Sequence, residues 1–505
     1  MKVFESDQTG QRSGLAVSLT IAATVLILAS RSASGTLADE TTIVPVGRIA
    51  INPFIRHLKF TVNPVDNLKS VQFTVQPKPG SVTRPISATY SSKYLFGRGY
   101  LDSAGNLKVP VFGLYDDFRN SVTLTYVFRD NSSKQSLFSL PTGAFRDPCG
   151  YKQGTVVVAR THSTSLSYDF MLLKDACSNF SSPAIMDTDG AIRWVGTAGA
   201  SSSVSAFFDN AIYLGTGPQL LRIELDGTVN LVADYSSMGV TGFHHNIDPG
   251  KFGLLLEVDT TTDVESVILE VGKKGTVQKR WNMYQIIANA MRAGGDDPSA
   301  FVRRGQDWFH NNSVTYRASD DSLIVSSREN FVIALDYASG AIKWILGDKT
   351  KAWFQYPSLS QYALTVPAGG GVAPIGEHAL SITYNDKLLL FDNGFPSFIQ
   401  TPPGSTRKFA APRKYSLNLA NRTATQIFSY NRSIVSEICS SVYEDAPNNY
   451  LVDYAVAGGF QSGNAFAEIV GLQPNGNRVF DYKYPTNFCD EIFNAFPIHL
   501  EQLSF

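Results

Sequence analysis

One short pattern recurs six times along the chain, and it restricts the fold more than any other feature of the sequence. Each copy is an apolar run, a turn usually built on Asp, Asn or Gly, and a second run that often ends in an aromatic residue. The copies are Ile185–Trp194, Ile223–Leu231, Leu269–Trp281, Ile333–Trp344, Leu417–Phe428 and Ile469–Phe480. Glycine adopts the positive φ of such turns without steric cost, so each copy predicts a β-hairpin.

A further apolar run precedes each hairpin and predicts another strand. These runs are Thr155–Ala159, Ala211–Gly215, Leu254–Val258, Leu323–Ser326, Leu388–Asp392 and Tyr450–Tyr454. Six repeated units of three or four strands predict a six-bladed β-propeller over residues 149–505. Unequal spacing between the turns predicts insertions, one of which carries a short helix at Met283–Arg292. A large β-sandwich is the alternative, but it does not explain six matched hairpins.

Residues 41–147 have a different pattern, with alternating apolar and polar residues in short runs that Pro and Gly clusters separate. The runs are Leu58–Val62, Ser70–Val75, Ile86–Tyr90, Val109–Leu114 and Val122–Phe128. Alternation with a period of two predicts half-buried strands, and several such strands predict a small antiparallel, immunoglobulin-like β-sandwich. The predicted fold class of the whole chain is therefore all-β.

Residues 1–35 have the composition of a secretory signal. Lys2 and Arg12 precede the uncharged, mainly apolar run Leu15–Ser30, and small residues follow it. The run is shorter than the roughly 20 residues that a relaxed membrane-spanning helix needs. We expect a secreted protein with a cleaved signal; a retained signal anchor, with the propeller on the extracytoplasmic side, is the alternative. A second copy of the chain is a candidate partner, and the oligomeric state stays open.

The chain has four cysteines: Cys149, Cys177, Cys439 and Cys489. In an oxidising compartment four cysteines permit two disulfides, in any of three pairings. We favour Cys149–Cys177 and Cys439–Cys489 because both close local loops; four buried free thiols are the alternative. Glycosylation sequons, which are consistent with a secreted glycoprotein, begin at Asn131, Asn179, Asn311, Asn421 and Asn431.

Charge and motifs exclude several classes of function. The net charge is −1, so no basic field favours nucleic acid. The sequence has no GxxxxGK[ST] phosphate loop, which disfavours a nucleotide-dependent reaction, and we expect no cofactor. It also lacks the Cys-x-Pro-x-Arg motif of formylglycine sulfatases.

Four of the seven histidines fall in three segments that each precede a predicted strand. His244 and His245 are adjacent, and His310 and His378 follow at intervals that suit equivalent places in successive repeats. Innermost strands line the channel of a propeller, so these imidazoles are candidates to meet there. Adjacent side chains of a strand point in opposite directions, so we expect one of His244 and His245 to face the axis. Each histidine taken alone also fits a hydrogen-bonded core position.

Arg328 follows the strand after His310 and fits either a surface salt bridge or an anion clamp with forked donors. Three imidazoles could hold zinc. However, the sequence forces no Asp or Glu into the cluster, and Arg328 would repel a cation. Three histidines and an arginine fit a tetrahedral oxyanion better, and we expect no metal.

Several segments resemble the arylsulfate sulfotransferase (arylsulfotransferase, ASST) family. They are Phe243–Lys251, Asp307–Tyr316, Asp320–Arg328, Ile342–Gly347 and Leu388–Gly394. The resemblance covers about residues 45–490 and implies a six-bladed propeller with a small N-terminal β domain. It implies an enzyme that moves a sulfo group from a phenolic sulfate ester to another phenol, without a nucleotide sulfate donor.

The resemblance also implies roles for individual residues. His378 matches the histidine that becomes sulfated, and His310, Asn312 and Arg328 match the sulfate-binding set. The remaining histidine matches His245.

His244, which could bind substrate in place of His245, stays open as the alternative match. Asn246 stands where the relatives have an acidic residue, which leaves open what orients His245. Hydrolysis of aryl sulfates and a non-catalytic, ligand-binding propeller are the competing functions.

Overall fold

The computed structural model describes residues 35–505, and the N-terminal unit is an antiparallel β-sandwich. Its strands are β1 (Thr42–Asn52), β2 (Ile55–Asn63), β3 (Leu68–Val75), β4 (Ile86–Ser91), β5 (Asn106–Phe112), β6 (Arg119–Phe128) and β7 (Ser133–Pro141). One sheet has the order β1–β2–β5, and the other contains β4–β3–β6–β7. Two short helices, α1 (Leu37–Glu40) and α2 (Ser92–Gly97), accompany them. Alternate residues of β6 are buried, as a half-buried strand requires, and the predicted sandwich is confirmed.

The rest of the chain is a propeller, which confirms the predicted class. The strands after the sandwich are β8 (Thr155–Val158), β9 (Phe170–Lys174), β10 (Ala184–Asp187), β11 (Ile192–Val195), β12 (Ser205–Phe208), β13 (Ala211–Thr216), β14 (Gln219–Glu224), β15 (Val229–Asp234), β16 (Val240–Pro249), β17 (Leu254–Thr260), β18 (Val267–Val271), β19 (Val277–Asn282), β20 (Asn311–Arg317), β21 (Ser322–Ser327), β22 (Phe331–Asp336), β23 (Ile342–Leu346), β24 (His378–Ile382), β25 (Leu388–Asp392), β26 (Ala411–Asn418), β27 (Thr423–Ser429), β28 (Ser441–Ala446), β29 (Asn449–Ala457), β30 (Phe466–Leu472), β31 (Arg478–Pro485), β32 (Asn494–Ile498) and β33 (Leu503–Ser504), of which all but β33 belong to the propeller.

Within residues 155–498 these strands form six sheets. The first has the order β32–β9–β10–β11, and the next four consist of strands β12 to β15, β16 to β19, β20 to β23 and β24 to β27 in consecutive order. The last consists of β28 to β31, with β8 added at the outer edge. The predicted hairpins supply two neighbouring strands of each sheet. The strands β12, β16, β20, β24, β28 and β32 contact one another in turn, and β9 contacts β12, so the sheets form a closed ring. The channel of this ring is where the innermost strands meet.

The ring is closed by both ends of the propeller chain. We predicted that Thr155–Ala159 lies in the same unit as the first hairpin, and this is wrong. Strand β8 instead pairs with β31 in the last sheet, and β32, from the C-terminal end, pairs with β9 in the first. Because each end of the propeller chain completes a sheet at the other end, the exchange joins the first and last sheets of the ring. The last strand, β33, pairs with β4 of the sandwich.

The predicted helical insertion is confirmed as α3 (Met283–Ala293). The side-chain oxygen of Asn282 accepts a hydrogen bond from the backbone N–H of Gln285 and so caps the N-terminus. The buried face of α3 packs in a cluster with Trp281 and Trp308, outside the channel. A second short helix, α4 (Pro357–Ser360), contacts α3. Single 3₁₀ turns occur at Val65–Asn67, Tyr151–Gln153, Ser236–Met238 and Ala352–Gln355.

Both favoured disulfides are formed. The Cα atoms of Cys149 and Cys177 are 5.7 Å apart, and those of Cys439 and Cys489 are 6.7 Å apart. The second disulfide joins the segment before β28 to the loop between β31 and β32. The predicted signal Leu15–Ser30 lies outside the described residues. Within residues 35–505, no helix has the length and apolar character needed to cross a membrane.

Candidate active site

Three histidines from successive sheets meet at one end of the channel. One ring nitrogen from each of His245, His310 and His378 lies within 4.8 Å of the other two. The ring centroid of His245 is 4.7 Å from that of His310 and 6.2 Å from that of His378. They lie within β16, immediately before β20 and at the start of β24. The equivalent positions inferred from sequence spacing are therefore adjacent in space.

The same backbone irregularity aims each histidine into the channel. His245 and His310 both have φ of 51°, and Ala379, next to His378, has φ of 53°. The pairing register of each inner strand breaks across His245, across Ala379 and just after His310. A bulge re-aims a side chain, and positive φ at residues other than glycine concentrates at functional sites.

His310 is held by two carboxylates. Its Nδ1 lies 2.6 Å from Oδ2 of Asp307 and 2.8 Å from Oε2 of Glu265. Burial would lower the pKa of His310, but the charge of Glu265 and the hydrogen bonds to both carboxylates outweigh burial and raise the pKa to about 10. His310 is therefore an imidazolium at neutral pH and places a positive charge in the channel.

Neither acid was predicted from the sequence. Asp307 is three residues before His310 and lay within a segment already singled out. Glu265 comes from the connection between β17 and β18, and no local pattern marks it. Its Oε2 also lies 3.7 Å from Nδ1 of His245. An acid therefore approaches His245 from the loop between β17 and β18, although position 246 is Asn.

His378 is held as a neutral imidazole of defined tautomer. Its Nδ1 lies 2.7 Å from Oδ1 of Asn393, whose amide nitrogen donates to the carbonyls of Ser436 (2.8 Å) and Cys439 (3.1 Å). Because these carbonyls fix the amide orientation, Nδ1 of His378 must be the donor, which leaves a lone pair on Nε2. Burial and the charge of Arg328 lower the pKa of His378 to about 3, against the opposing effect of Asn393.

Arg328 presents two unused donors. Its Nη1 donates to Oε1 of Glu329 at 2.5 Å, and its guanidinium carbon is 3.9 Å from the ring centroid of Phe398. Oε2 of Glu329 accepts from the backbone N–H groups of Phe398 (2.7 Å) and Ile399 (3.0 Å), which ties the stacked ring to the ion pair. Nε and Nη2 of Arg328 are buried and have no hydrogen-bond partner among residues 35–505. A buried forked donor without a partner is suited to a bound oxyanion.

The three histidines and Arg328 line a cavity of about 520 Å³. Its other walls are mainly apolar and include Phe398, Ile399, Ile438, Phe488, Phe493 and the disulfide between Cys439 and Cys489; Ser203, Asp307, Glu329 and Asp490 also line it. Cavities of this volume with a few convergent polar groups are typical of small-molecule sites. The apolar wall suits an aromatic ring, and the polar end suits an anion.

His244 and Asn312 lie outside this cavity lining. Nδ1 of His244 is 3.1 Å from Nδ1 of His245, so His244 lies behind the histidine that lines the cavity. The amide nitrogen of Asn312 donates to the carbonyl of Glu377 at 2.7 Å, and the hydroxyl of Ser326 donates to the same carbonyl. Asn312 therefore holds the backbone immediately before His378.

The sequon at Asn311 is enclosed by the fold. The side chain of Asn311 has no exposed surface, so a glycan there has no room in the folded protein. The asparagines of the other four sequons are all exposed.

Two models of one protein family match the sequence of this chain, one over the propeller and one over the sandwich. The family model described as arylsulfotransferase (ASST) matches residues 155–493, and the arylsulfotransferase Ig-like domain model matches residues 60–143. The chain belongs to the arylsulfotransferase family.

The chain is also similar to two curated relatives. The arylsulfate sulfotransferase AssT of Escherichia coli O6:H1 is 26% identical over 240 residues, which are 38% of this chain and 40% of the relative. AssT of Lelliottia amnigena is 23% identical over 212 residues, 34% of this chain and 35% of the relative. These matches span two fifths or less of the relatives' length.

Among solved structures, the β-propeller domain of Cps50 (Swd1) from Myceliophteria thermophila aligns at a TM-score of 0.33. The sequence identity is 11%, and the alignment covers 66% of this chain and 90% of that one.

Proposed function

We propose that this protein is an arylsulfotransferase that carries a sulfo group from an aryl sulfate to a phenol on Nε2 of His378. The observation that carries the proposal is the neutral, buried His378 with a free lone pair, in one cavity with the unused donors of Arg328. An uncharged imidazole is a nucleophile, and a positively charged fork is a partner for the sulfo oxygens.

The donor half-reaction begins with binding of the sulfate group. Nε and Nη2 of Arg328 and the imidazolium of His310 neutralise the oxygens, while the aryl ring packs against the apolar wall. Nε2 of His378 attacks sulfur in line, the S–O bond to the aryl group breaks, and an N–S bond forms. Donors that are already in place stabilise the charge that develops on the oxygens, and each contributes roughly 2 to 3 orders of magnitude in such sites.

His245 serves the leaving oxygen in this proposal. Its ring centroid is 5.7 Å from that of Phe493, on the aryl side of the cavity. A phenol has a pKa near 10, so the departing phenolate takes a proton. In the acceptor half-reaction a second phenol loses its proton at the same place and attacks the sulfo-histidine. The two half-reactions predict ping-pong kinetics.

The function is tested by incubating the protein with nitrophenyl sulfate, with and without added phenol. A transferase releases one equivalent of nitrophenol and turns over only with the acceptor. Steady release without phenol identifies a hydrolase, and no release with a range of aryl sulfates identifies a binding propeller. Mass measurement of the protein after donor alone detects the sulfo adduct.

The pH dependence of the donor half-reaction provides a second test. Protonation of His378 removes the nucleophile, and with a pKa of about 3 this loss occurs only in strong acid. His310 loses its charge only near pH 10. We therefore expect single-turnover release of nitrophenol to be nearly flat between about pH 5 and 8. An acid limb centred near 6.5, the ordinary value for histidine, would contradict the assigned nucleophile.

A further inference from the structure

A second group of titratable side chains lies behind His245, away from the cavity. Nδ1 of His244 is 3.1 Å from Nδ1 of His245 and 3.8 Å from Oε2 of Glu257. Ring nitrogens of both histidines and a carboxyl oxygen of Glu257 all lie within 4.8 Å of one another. The three side chains therefore form a row that ends at the cavity.

The bulge in β16 creates this row. A regular strand would point His244 and His245 to opposite faces, but the register break between Phe243 and Ile247, with positive φ at His245, brings the two rings together. Glu257 lies in β17, opposite the bulge. It has no exposed surface, and neither of its carboxyl oxygens has a hydrogen-bond partner among the described residues. Nε2 of His244 is also buried without a partner.

The surroundings of Glu257 favour a proton on it. Burial raises the pKa of Glu257 well above its ordinary value, and the nearby carboxylates of Asp248 and Glu265 act in the same direction. The opposing groups are the ammonium of Lys174 and the backbone N–H of Asn246. The Tyr443 hydroxyl also faces this region. Lys174 donates a hydrogen bond to the side-chain oxygen of Asn246 and remains close enough to stabilise a carboxylate that forms.

The chemistry of His245 requires such a supply of protons. Burial lowers the pKa of His245 well below its ordinary value, so this ring is neutral. A neutral imidazole can give its Nε2 proton to a phenolate only if its Nδ1 receives another. We propose that His244 and Glu257 hold the proton that His245 gives to the leaving phenolate and later takes back from the acceptor phenol. This inference rests on the proposed sulfotransfer and assigns its proton path.

One proton moves at each step of the donor half-reaction. Glu257 gives its proton to Nε2 of His244, the ring nitrogen without a partner, and becomes a carboxylate near Lys174. The His244 imidazolium gives its Nδ1 proton to Nδ1 of His245, and the phenolate oxygen gains the Nε2 proton of His245, so both rings end neutral. Because Nε2 of His244 has no partner, its ring can turn to close the remaining separation. The acceptor phenol reverses each transfer, so the enzyme returns to its starting state without exchange with solvent.

The test compares two donors in single-turnover formation of the sulfo-enzyme by the full-length protein. Glu257→Gln keeps the shape of the side chain and removes its proton. We expect a loss of about 10- to 100-fold with phenyl sulfate, because general acid catalysis is worth at least that much. The loss with nitrophenyl sulfate should be much smaller, because nitrophenolate leaves without a proton. His244→Asn should show the same contrast, and the double variant no further loss, since both act in one path.

Asp453→Asn is the matched control because Asp453 is another fully buried carboxyl without a partner, in β29 and outside the cavity. It should leave both donors unaffected. Equal losses with both donors in Glu257→Gln, or no loss with either, would overturn the relay while leaving sulfotransfer intact.

A readout that needs no turnover separates failure of the relay from failure of the function. Nitrogen-15 histidine NMR of the full-length protein reports which ring nitrogens carry protons. We expect Glu257→Gln to change the signals of His244 and His245 but not those of exposed His162. Unchanged signals would reject the relay, whereas wild-type protein that forms no sulfo adduct from either donor would reject the proposed function itself.

Discussion

His378→Ala should abolish both phenol release from aryl sulfates and formation of the sulfo adduct. The substitution removes the nitrogen that forms the bond to sulfur, and loss of the nucleophile from covalent enzymes lowers turnover on the order of 10⁶-fold. Asn393, which loses its partner, keeps its two backbone acceptors, so the fold should persist. The measurements are nitrophenol release and intact mass after exposure to the donor.

The matched control is His162→Ala, because His162 is exposed, lies between β8 and β9, and does not line the cavity. It should behave as wild type. Thermal unfolding of both variants separates loss of chemistry from loss of structure. An adduct found on His245 or His310 in the His378→Ala protein would show that the nucleophile is assigned to the wrong histidine.

Arg328→Lys should lower turnover by about 10²- to 10³-fold, the usual effect of removing one preorganised donor from a developing oxyanion. Lysine keeps the positive charge but cannot offer two parallel N–H groups while a third contacts Glu329. Because the fork binds the sulfate oxygens before and during transfer, KM should rise and kcat should fall. Steady-state kinetics with nitrophenyl sulfate and saturating phenol measures both.

Arg222→Lys tests whether any buried or paired arginine would give the same result. Arg222 also pairs with a glutamate, Glu224, but lies on β14 and does not line the cavity. We expect its kinetics to match wild type. Unchanged turnover in Arg328→Lys would exclude the fork as the sulfate clamp.

The sequence predicted the sheets because their information is local. Each hairpin carries its own apolar periodicity and turn residue, as in Ile333–Trp344, so strands and turns are visible within about ten residues. The pairing of β8 with β31 could not be predicted in this way, since it joins segments from opposite ends of the propeller and depends on closing the ring.

The residues of the candidate site also divide into those that local sequence marks and those whose contacts depend on the fold. His245, His310 and His378 stood out because three similar segments contain them at comparable intervals. Glu265 and Asn393 did not stand out as partners, because their contacts depend on which side chain a loop or a neighbouring strand directs inward.

His244 illustrates the limit of a periodicity argument. An alternating strand predicts that its ring points away from that of His245, yet a single residue with φ of 51° brings the two rings within 3.1 Å. The bulge that breaks the rule is the feature on which the proposed proton path depends.

Closure of the ring by its two ends also sets the order of events when the chain is made. The first sheet lacks its innermost strand until β32 has been synthesised, and Cys489 and Phe493, which line the cavity, come just before β32. Contacts between such distant segments form slowly because a long loop must close first. A ribosome that has made the other five sheets has therefore not yet made a complete cavity, which forms only once β32 has been synthesised.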